Sequence, residues 1–198
     1  MRVKMFDYGA GNLHSLEKAL VFAGARIETE TDPLRCLDAD ALVLPGVGAF
    51  APAAARLAPG RDVMRSAVAA GFPVIGICLG MQLLFESSDE GEGAGLGVIA
   101  GRVERIRAAR VPQMGWNSVE SVAEPILERS ALRWAYYANS FVCRPADESC
   151  VTAWSELDGD RFPAVVRVGR AIGIQFHPEK SSQAGVAFLA AALEALAA

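Results

Sequence analysis

The chain has 198 residues, of which 52% are apolar and 21% charged; this fits one globular domain large enough to bury most of its unfolded-chain surface. A formal net charge of −4 argues against a nucleic-acid or other polyanion partner. No apolar run approaches the roughly 18 residues of a membrane span, and Met1-Arg2-Val3-Lys4 leads directly into a strand instead of a signal peptide, so a cytoplasmic protein with no membrane partner is expected.

Arg2 to Phe6 is an apolar strand that ends on Asp7-Tyr8-Gly9-Ala10-Gly11-Asn12. A helix follows, with Leu13, Leu16, Leu20 and Ala23 at helical spacing, Asn12 as its N-cap and Gly24 just past its end. The Gly9-x-Gly11 turn lacks the third glycine of a dinucleotide fingerprint, so it is expected to line a cleft and not to cradle a phosphate. A second strand spans Ala25 to Glu30. The third, Ala41-Leu42-Val43-Leu44, is apolar throughout, as in a parallel sheet covered on both faces. It ends on Pro45-Gly46-Val47-Gly48-Ala49-Phe50, whose glycines let the backbone turn its N–H groups toward a ligand. A helix from Asp62 to Ala70 stops at Gly71. Pro73 to Ile77 is a fourth strand, Gly76-Ile77-Cys78-Leu79-Gly80 a tight turn, and Met81 to Glu86 a further helix.

Successive strand–helix units predict an α/β fold with a doubly wound, mostly parallel central sheet. Ligands of such sheets bind outside the carboxyl ends of the strands, where Gly9–Asn12, Pro45–Phe50 and Gly76–Gly80 all lie and should converge. Ser87 to Gly97 is rich in glycine and acidic residues and is expected as a solvated loop. Short strands then follow at Arg102–Ile106, Trp116–Val122, Trp134–Phe141, Val151–Trp154, Pro163–Val168 and Ala171–Phe176, with Gly169-Arg170 as a hairpin turn between the last two. This half is expected to be an antiparallel extension of the sheet or a layer on it. A helix from Ala184 to Ala198, with a Val186, Leu189, Leu193, Leu196 stripe, closes the chain. No repeat or linker divides residues 1–198, which read as a single domain.

Gly76-x-Cys78-x-Gly80 between a strand and a helix has the form of a nucleophile elbow, which pushes the central side chain out at the turn. At a helix start, free N–H groups and the macrodipole favour thiolate, and cysteines so placed fall from about 8.5 to roughly 3.5–7.5. Cys36, Cys143 and Cys150 have no such setting and are expected as free, mostly buried thiols, since no CxxC spacing is present. The only other histidine, His14, is expected at the surface or facing a partner; neither histidine lies near a cysteine in sequence, so no metal site is expected, nor any cofactor. His177, in Gln175-Phe176-His177-Pro178-Glu179, stands where a strand gives out. In an extended segment held non-helical by Pro178, Glu179 would lie beside His177 and fix its tautomer, leaving the other ring nitrogen to take the Cys78 proton. The residues alone thus describe a Cys-His-Glu hydrolase acting through an acyl-enzyme. Its oxyanion would be held by backbone N–H groups of Leu79 and of the Gly46-Val47-Gly48 turn. Composition and spacing leave the substrate open.

With these residues in place the chain resembles the class I (triad) glutamine amidotransferases and, among them, the glutaminase subunits of imidazole glycerol phosphate synthase. The resemblance rests on Asp7 through Leu13, Pro45 through Phe50, Gly76 through Phe85, Met114-Gly115-Trp116-Asn117, and Gln175 through Ser182. It implies that glutamine is hydrolysed to glutamate and ammonia by Cys78, His177 and Glu179, with the oxyanion hole at Val47, Gly48 and Leu79. It places the glutamine amino-acid moiety at Gly46, Gln82, Ser140 and Phe141, the last two mainly through backbone. It implies a separate cyclase subunit with a (β/α)8 barrel as a 1:1 partner. That subunit would receive the ammonia and make imidazole glycerol phosphate and an aminoimidazole carboxamide ribotide, AICAR, in histidine biosynthesis. Asn12, Trp116, Asn117 and Lys180 match positions near that interface.

Two positions depart from the family pattern. Gln113 and Asn139 stand where the family usually has histidines, outside the triad, which puts in question how partner occupancy is signalled and the local pH dependence. Two other readings are a stand-alone thiol hydrolase or a glutaminase serving another synthase, against which the interface motifs speak, and a catalytically silent regulatory module that binds a partner. The latter would have lost Cys78, His177 or Glu179, and all three are present.

Overall fold

The computed structural model describes residues 1–9, 11, 13–121 and 123–197. Its first half comprises β1 (Arg2–Phe6), α1 (His14–Phe22), β2 (Arg26–Glu30), β3 (Ala41–Leu44), α2 (Phe50–Leu57), α3 (Arg61–Ala69), β4 (Val74–Ile77) and α4 (Leu79–Gln82). The second half comprises β5 (Ser87–Ser88), β6 (Gly101–Arg105), β7 (Gln113–Ser118), β8 (Glu120–Ser121), α5 (Pro125–Ser130), β9 (Trp134–Asn139), β10 (Phe141–Pro145), β11 (Val151–Leu157), β12 (Asp160–Val168), β13 (Ala171–Ile174) and α6 (Ser182–Ala197).

One eight-stranded sheet has the order β2-β1-β3-β4-β13-β12-β11-β8. The pairings from β2 through β13 are parallel, and β12, β11 and β8 are added by antiparallel pairings. Of the strands expected in an antiparallel extension, β12, β11 and β8 do continue the main sheet, whereas Ala171–Ile174 is a parallel strand beside β4, where its all-buried apolar run fits a sheet covered on both faces. The remaining strands form a three-stranded sheet, β10-β6-β5, and a two-stranded ribbon, β7-β9.

The apolar strands bury both faces, and the period of two sorts their side chains. Val3, Met5, Ala41, Val43, Ile75, Ile77, Ile172 and Ile174 point to the layer of α1, α5 and α6, where Leu20, Ile126, Phe188 and Leu189 meet them. Phe6, Leu42, Leu44 and Val74 point the other way, to Phe50 and Leu57 of α2, Met64 of α3 and Leu83 through Phe85. Each fully buried side chain of this kind contributes about 1.5–3 kcal/mol, so the sheet that carries the strand ends is held from both faces.

Four expectations are corrected. Helix α2 is absent from the expected elements; its Pro52 lies in the first turn, where a missing N–H costs nothing, and the Phe50 N–H is taken up by the Glu90 carboxylate at 2.8 Å. Helix α5 begins at Pro125 in the same way, with the Glu124 side chain accepting from Ile126 N. The elbow helix spans Leu79–Gln82 and not Met81–Glu86; after Leu83 the backbone bonds tighten to three-residue spacing, with Leu84 N donating to Met81 O and Phe85 N to Gln82 O, and the α-helix stops. Helix α1 has Leu13 at its N-cap position with no side-chain cap, and Asn12, expected there, lies outside the described residues. Among the described residues no helix is long and apolar enough to cross a membrane.

Candidate active site

The loops after β1, β3, β4 and β13 meet at the carboxyl edge of the sheet. A Cβ on Gly11 would stand 2.6 Å from Val47 Cβ, and one on Gly46 would stand 2.9 Å from Cys78 Cβ and 3.0 Å from His177 Cε1. Only a backbone without side chains packs this tightly.

Cys78 carries the strain of the turn, with φ 48° and ψ −104° in a non-glycine residue. The flanking glycines do not have positive φ; they serve close approach. A Cβ on Gly76 would lie 2.5 Å from the Gly80 carbonyl oxygen, and one on Gly80 would overlap the carbonyl oxygen of Leu44 on β3. The turn is pinned from the other side by β13, whose Ile174 carbonyl accepts from Cys78 N at 2.6 Å. Because α4 is a single turn, its macrodipole is small, and polarisation of the thiol rests on immediate neighbours. One is Gln175, fully buried, whose Nε2 lies 3.6 Å from Cys78 Sγ as donor.

The other is His177. Its Nδ1 is 2.8 Å from Glu179 Oε1, and both side chains are under 10% exposed, at 6% and 8%. This contact is reached by a different route from the one expected. Pro178–Lys180 is a single 3-10 turn with His177 at its N-cap position, so Glu179 is brought to the Nδ1 edge of the ring by a turn and not by an extended strand. Proline favours the first position of such a turn because its absent N–H would be unpaired there anyway. Burial by itself lowers the His177 imidazolium; hydrogen bonds to Cys78 and Glu179, and the charges of both, override this and push its pKa from 6.5 up to about 10. An imidazolium so held is a proton donor poised beside the sulfur.

A cleft of about 210 Å³ opens at Cys78, lined by Gly46, Gly48, Leu79, Gln82, Ser140 and Phe141 among others. It thus gathers all four positions expected to hold the amino-acid moiety and two of the three expected at the oxyanion hole. Val47 lines instead a second cavity of about 320 Å³, on the other side of Gly46, together with His177, Glu179 and Lys180. Trp116 and Asn117 line a third, more open groove of about 660 Å³ beside Met114 and Pro112. Trp116 is half exposed and meets Tyr136 edge-on at 6.4 Å, and Lys180 Nζ lies 5.8 Å from the same ring, so these two expected interface residues share one surface. Asn117 is committed internally: its Nδ2 donates to Glu156 O at 2.8 Å and its Oδ1 accepts from Ser118 N. Asn12, the fourth, is outside the described residues.

The two departures from the family pattern are one cross-strand pair. Gln113 and Asn139 stand directly opposite each other between β7 and β9, both buried. Asn139 Nδ2 donates to Phe141 O at 3.1 Å, and Gln82 Nε2 donates to the same oxygen at 3.2 Å, so two amides fix the strand that borders the cleft. The three remaining cysteines are chemically distant from this site. Cys36 is fully buried, and that burial, with the Glu30 carboxylate nearby, raises its pKa to about 12 despite the opposing charge of Lys4. Burial also raises Cys143 and Cys150.

Sequence reasoning missed Gln175, Glu90 and Ser181. Gln175 was legible in principle, because it lies two residues before His177 at the end of a strand and so shares its side. Glu90 sits in an acidic, glycine-rich loop, where nothing local distinguishes it from its neighbours; only the fold brings it to the Cys78 cleft, beside the Phe50 N–H it accepts from. The Ser181 hydroxyl is buried between His177 and Tyr136, a contact made across 45 residues.

This arrangement has counterparts among known proteins. Residues 4–194 match the family model for class-I glutamine amidotransferases. The chain is 43% identical over 205 residues to the imidazole glycerol phosphate synthase subunit HisH of Leifsonia xyli, covering 95% of both chains. It is 44% identical over 195 residues to HisH of Symbiobacterium thermophilum, covering 96% of this chain and 92% of that one. Among solved structures, a glutamine amidotransferase superposes with a TM-score of 0.74 at 23% identity, covering 96% of this chain and 98% of its own. PurLQS from Thermotoga maritima gives the same TM-score at 19% identity, covering 98% of both chains; these two likenesses speak for the fold. The chain belongs to the class I glutamine amidotransferases and, among them, to the HisH subunits of imidazole glycerol phosphate synthase.

Proposed function

We propose that this chain hydrolyses glutamine at Cys78 and passes the ammonia to a separate cyclase subunit with a (β/α)8 barrel, in a 1:1 cytoplasmic complex that makes imidazole glycerol phosphate and AICAR. The observation that carries the reading is the meeting of a strained cysteine on the β4 turn with a buried His177–Glu179 pair on the β13 turn. Cys78 Sγ attacks the side-chain amide carbon of glutamine. The developing oxyanion is held by backbone N–H groups at Leu79 and in the Val47–Gly48 turn. The His177 imidazolium gives its proton to the leaving nitrogen, ammonia departs and a thioester remains. Water, deprotonated by the now neutral His177, then attacks the thioester, releasing glutamate and restoring the thiol. Glu179 stays ionised throughout and keeps His177 in the orientation both proton transfers need.

The cleft suits an amino acid. Gly46, Gln82 and the Ser140–Phe141 backbone surround it, and Glu90 supplies a carboxylate at its border for the α-ammonium. The Val47 cavity is bordered by both His177 and Lys180, and Lys180 also lies against the Tyr136 ring, so this cavity suits a path for ammonia toward the surface of Trp116, Tyr136 and Lys180. That surface is where the cyclase would dock. The test is Cys78→Ala in the complex: glutamine-dependent synthesis is expected to vanish while synthesis from added ammonium continues. Glutamine hydrolysis persisting in the variant would refute the assignment.

A further inference from the structure

The β7–β9 ribbon belongs to neither of the larger sheets, and a two-stranded ribbon is marginal by itself in water. Its attachment to the body of the protein therefore decides where it sits. One attachment runs directly to the candidate histidine. Tyr136 of β9 and His177 form an isolated antiparallel bridge, with His177 N donating to Tyr136 O at 2.8 Å. The second half of that bridge is not backbone. The Ser181 hydroxyl takes its place, accepting from Tyr136 N at 2.9 Å and donating to His177 O at 2.7 Å.

We propose that Ser181 is a positioning residue for the glutaminase reaction, clamping the His177 backbone to the exposed ribbon so that the ribbon's register sets where the imidazole meets Cys78. This rests on the roles proposed above for Cys78 and His177. The hydroxyl is fully buried and has both its donor and an acceptor site engaged, so it is fixed in orientation and not a solvated surface serine. Its own backbone is locked as well: Ser181 N donates to Pro178 O at 3.0 Å, and Ser181 O accepts from Gly185 N at 3.0 Å at the start of α6. A Cβ on Gly185 would lie 2.8 Å from Ser181 Cβ, so only glycine at that position lets α6 start this close to the serine. On the far side of the clamp, Tyr136 stands directly opposite Trp116 in the ribbon, with the two rings edge-on. A displacement at Trp116 is thus passed to His177 through one side chain pair and one hydroxyl. Removing the hydroxyl leaves the Tyr136 N–H without its acceptor and frees one side of His177.

The experiment is Ser181→Ala in the complex, read by glutaminase kinetics and by the pH dependence of Cys78 alkylation. The expected result is a kcat lowered about 10- to 100-fold, with KM for glutamine within about twofold, since sub-ångström misplacement of a reacting group has costs of this order. The upper limb of the alkylation profile should move down toward the ordinary histidine value of 6.5, because a displaced ring loses its hydrogen bond to the sulfur. Should Ser181→Ala fail to unfold cooperatively, Ser181→Cys, which keeps the volume but bonds weakly, is read in the same assays with a smaller loss in the same direction. A kcat within twofold of the parent, or a lowered kcat with an unmoved pH profile, overturns the proposal. Cys78→Ala serves as the control: if it still hydrolyses glutamine, the reading of the site itself has failed, whatever Ser181 does.

Discussion

Replacing Glu179 by glutamine keeps the shape of the side chain and removes its charge, and the structure fixes how much that should matter. Glu179 Oε1 is 2.8 Å from His177 Nδ1, in a pair shielded from solvent on both sides. Two unit charges about 4 Å apart at an effective dielectric of about 20 attract by about 4 kcal/mol, whereas net contributions of hydrogen bonds to charged groups are about 1.5–3 kcal/mol. The lower figure applies to the difference between carboxylate and amide, since the amide still accepts from Nδ1–H. At about 1.4 kcal/mol per unit, this lowers the His177 pKa by about 1–2 units from its value of about 10. Because the folded-state pKa is raised, its contribution to stability is present in full below 6.5 and is lost as pH rises from there through 10. In Glu179→Gln the loss should be complete about 1–2 units earlier. The assay is kcat for glutamine hydrolysis in the complex across pH 6–11, with urea unfolding of the chain over the same range. We expect the upper limb to move down by that amount and kcat to fall roughly 100- to 10,000-fold, as when the carboxylate of other triads is neutralised. An unmoved upper limb with kcat within threefold of the parent would refute the reasoning.

Two further outcomes follow from packing. Gly80→Ala places a methyl on the Leu44 carbonyl at the centre of the sheet, so it should destabilise the fold by about 3 kcal/mol or more, measured as a lowered urea midpoint with an unchanged slope. Limited iodoacetamide should modify Cys78 selectively in the folded chain, because burial holds Cys36 near 12 and raises Cys143 and Cys150; peptide mapping that finds Cys36 or Cys143 labelled at the rate of Cys78 would contradict this.

The parallel half was legible in the sequence because β1, β3 and β4 each run into a segment with two glycines spaced by one or three residues, Gly9 and Gly11, Gly46 and Gly48, and Gly76 and Gly80, and those segments define the site. The convergence of Gly11, Gly46, Cys78 and His177 follows from that rule alone. What local pattern could not convey was pairing between distant segments. Nothing near Trp134 announces that its strand joins β7 and not the main sheet, and nothing near Ala171 announces a parallel partner at Val74. The same limit hid Glu90 and Ser181, whose partners lie 40 and 45 residues away. Glu179 shows the opposite case: the contact was anticipated correctly, but from an extended backbone, when the proline in fact starts a turn.

The anchoring of Cys78 N on Ile174 O has a consequence for the order in which the protein becomes an enzyme. During synthesis the thiol leaves the ribosome long before β13, which supplies both the acceptor for the strained turn and the histidine beyond it. Until that last strand zips along β4, the elbow lacks one of its two anchors and the sulfur has no proton acceptor. Such a non-local pairing is slow to form, since its loop-closure entropy must be met first. The complete Cys78–His177–Glu179 group therefore exists only once the pairing that completes the sheet is made.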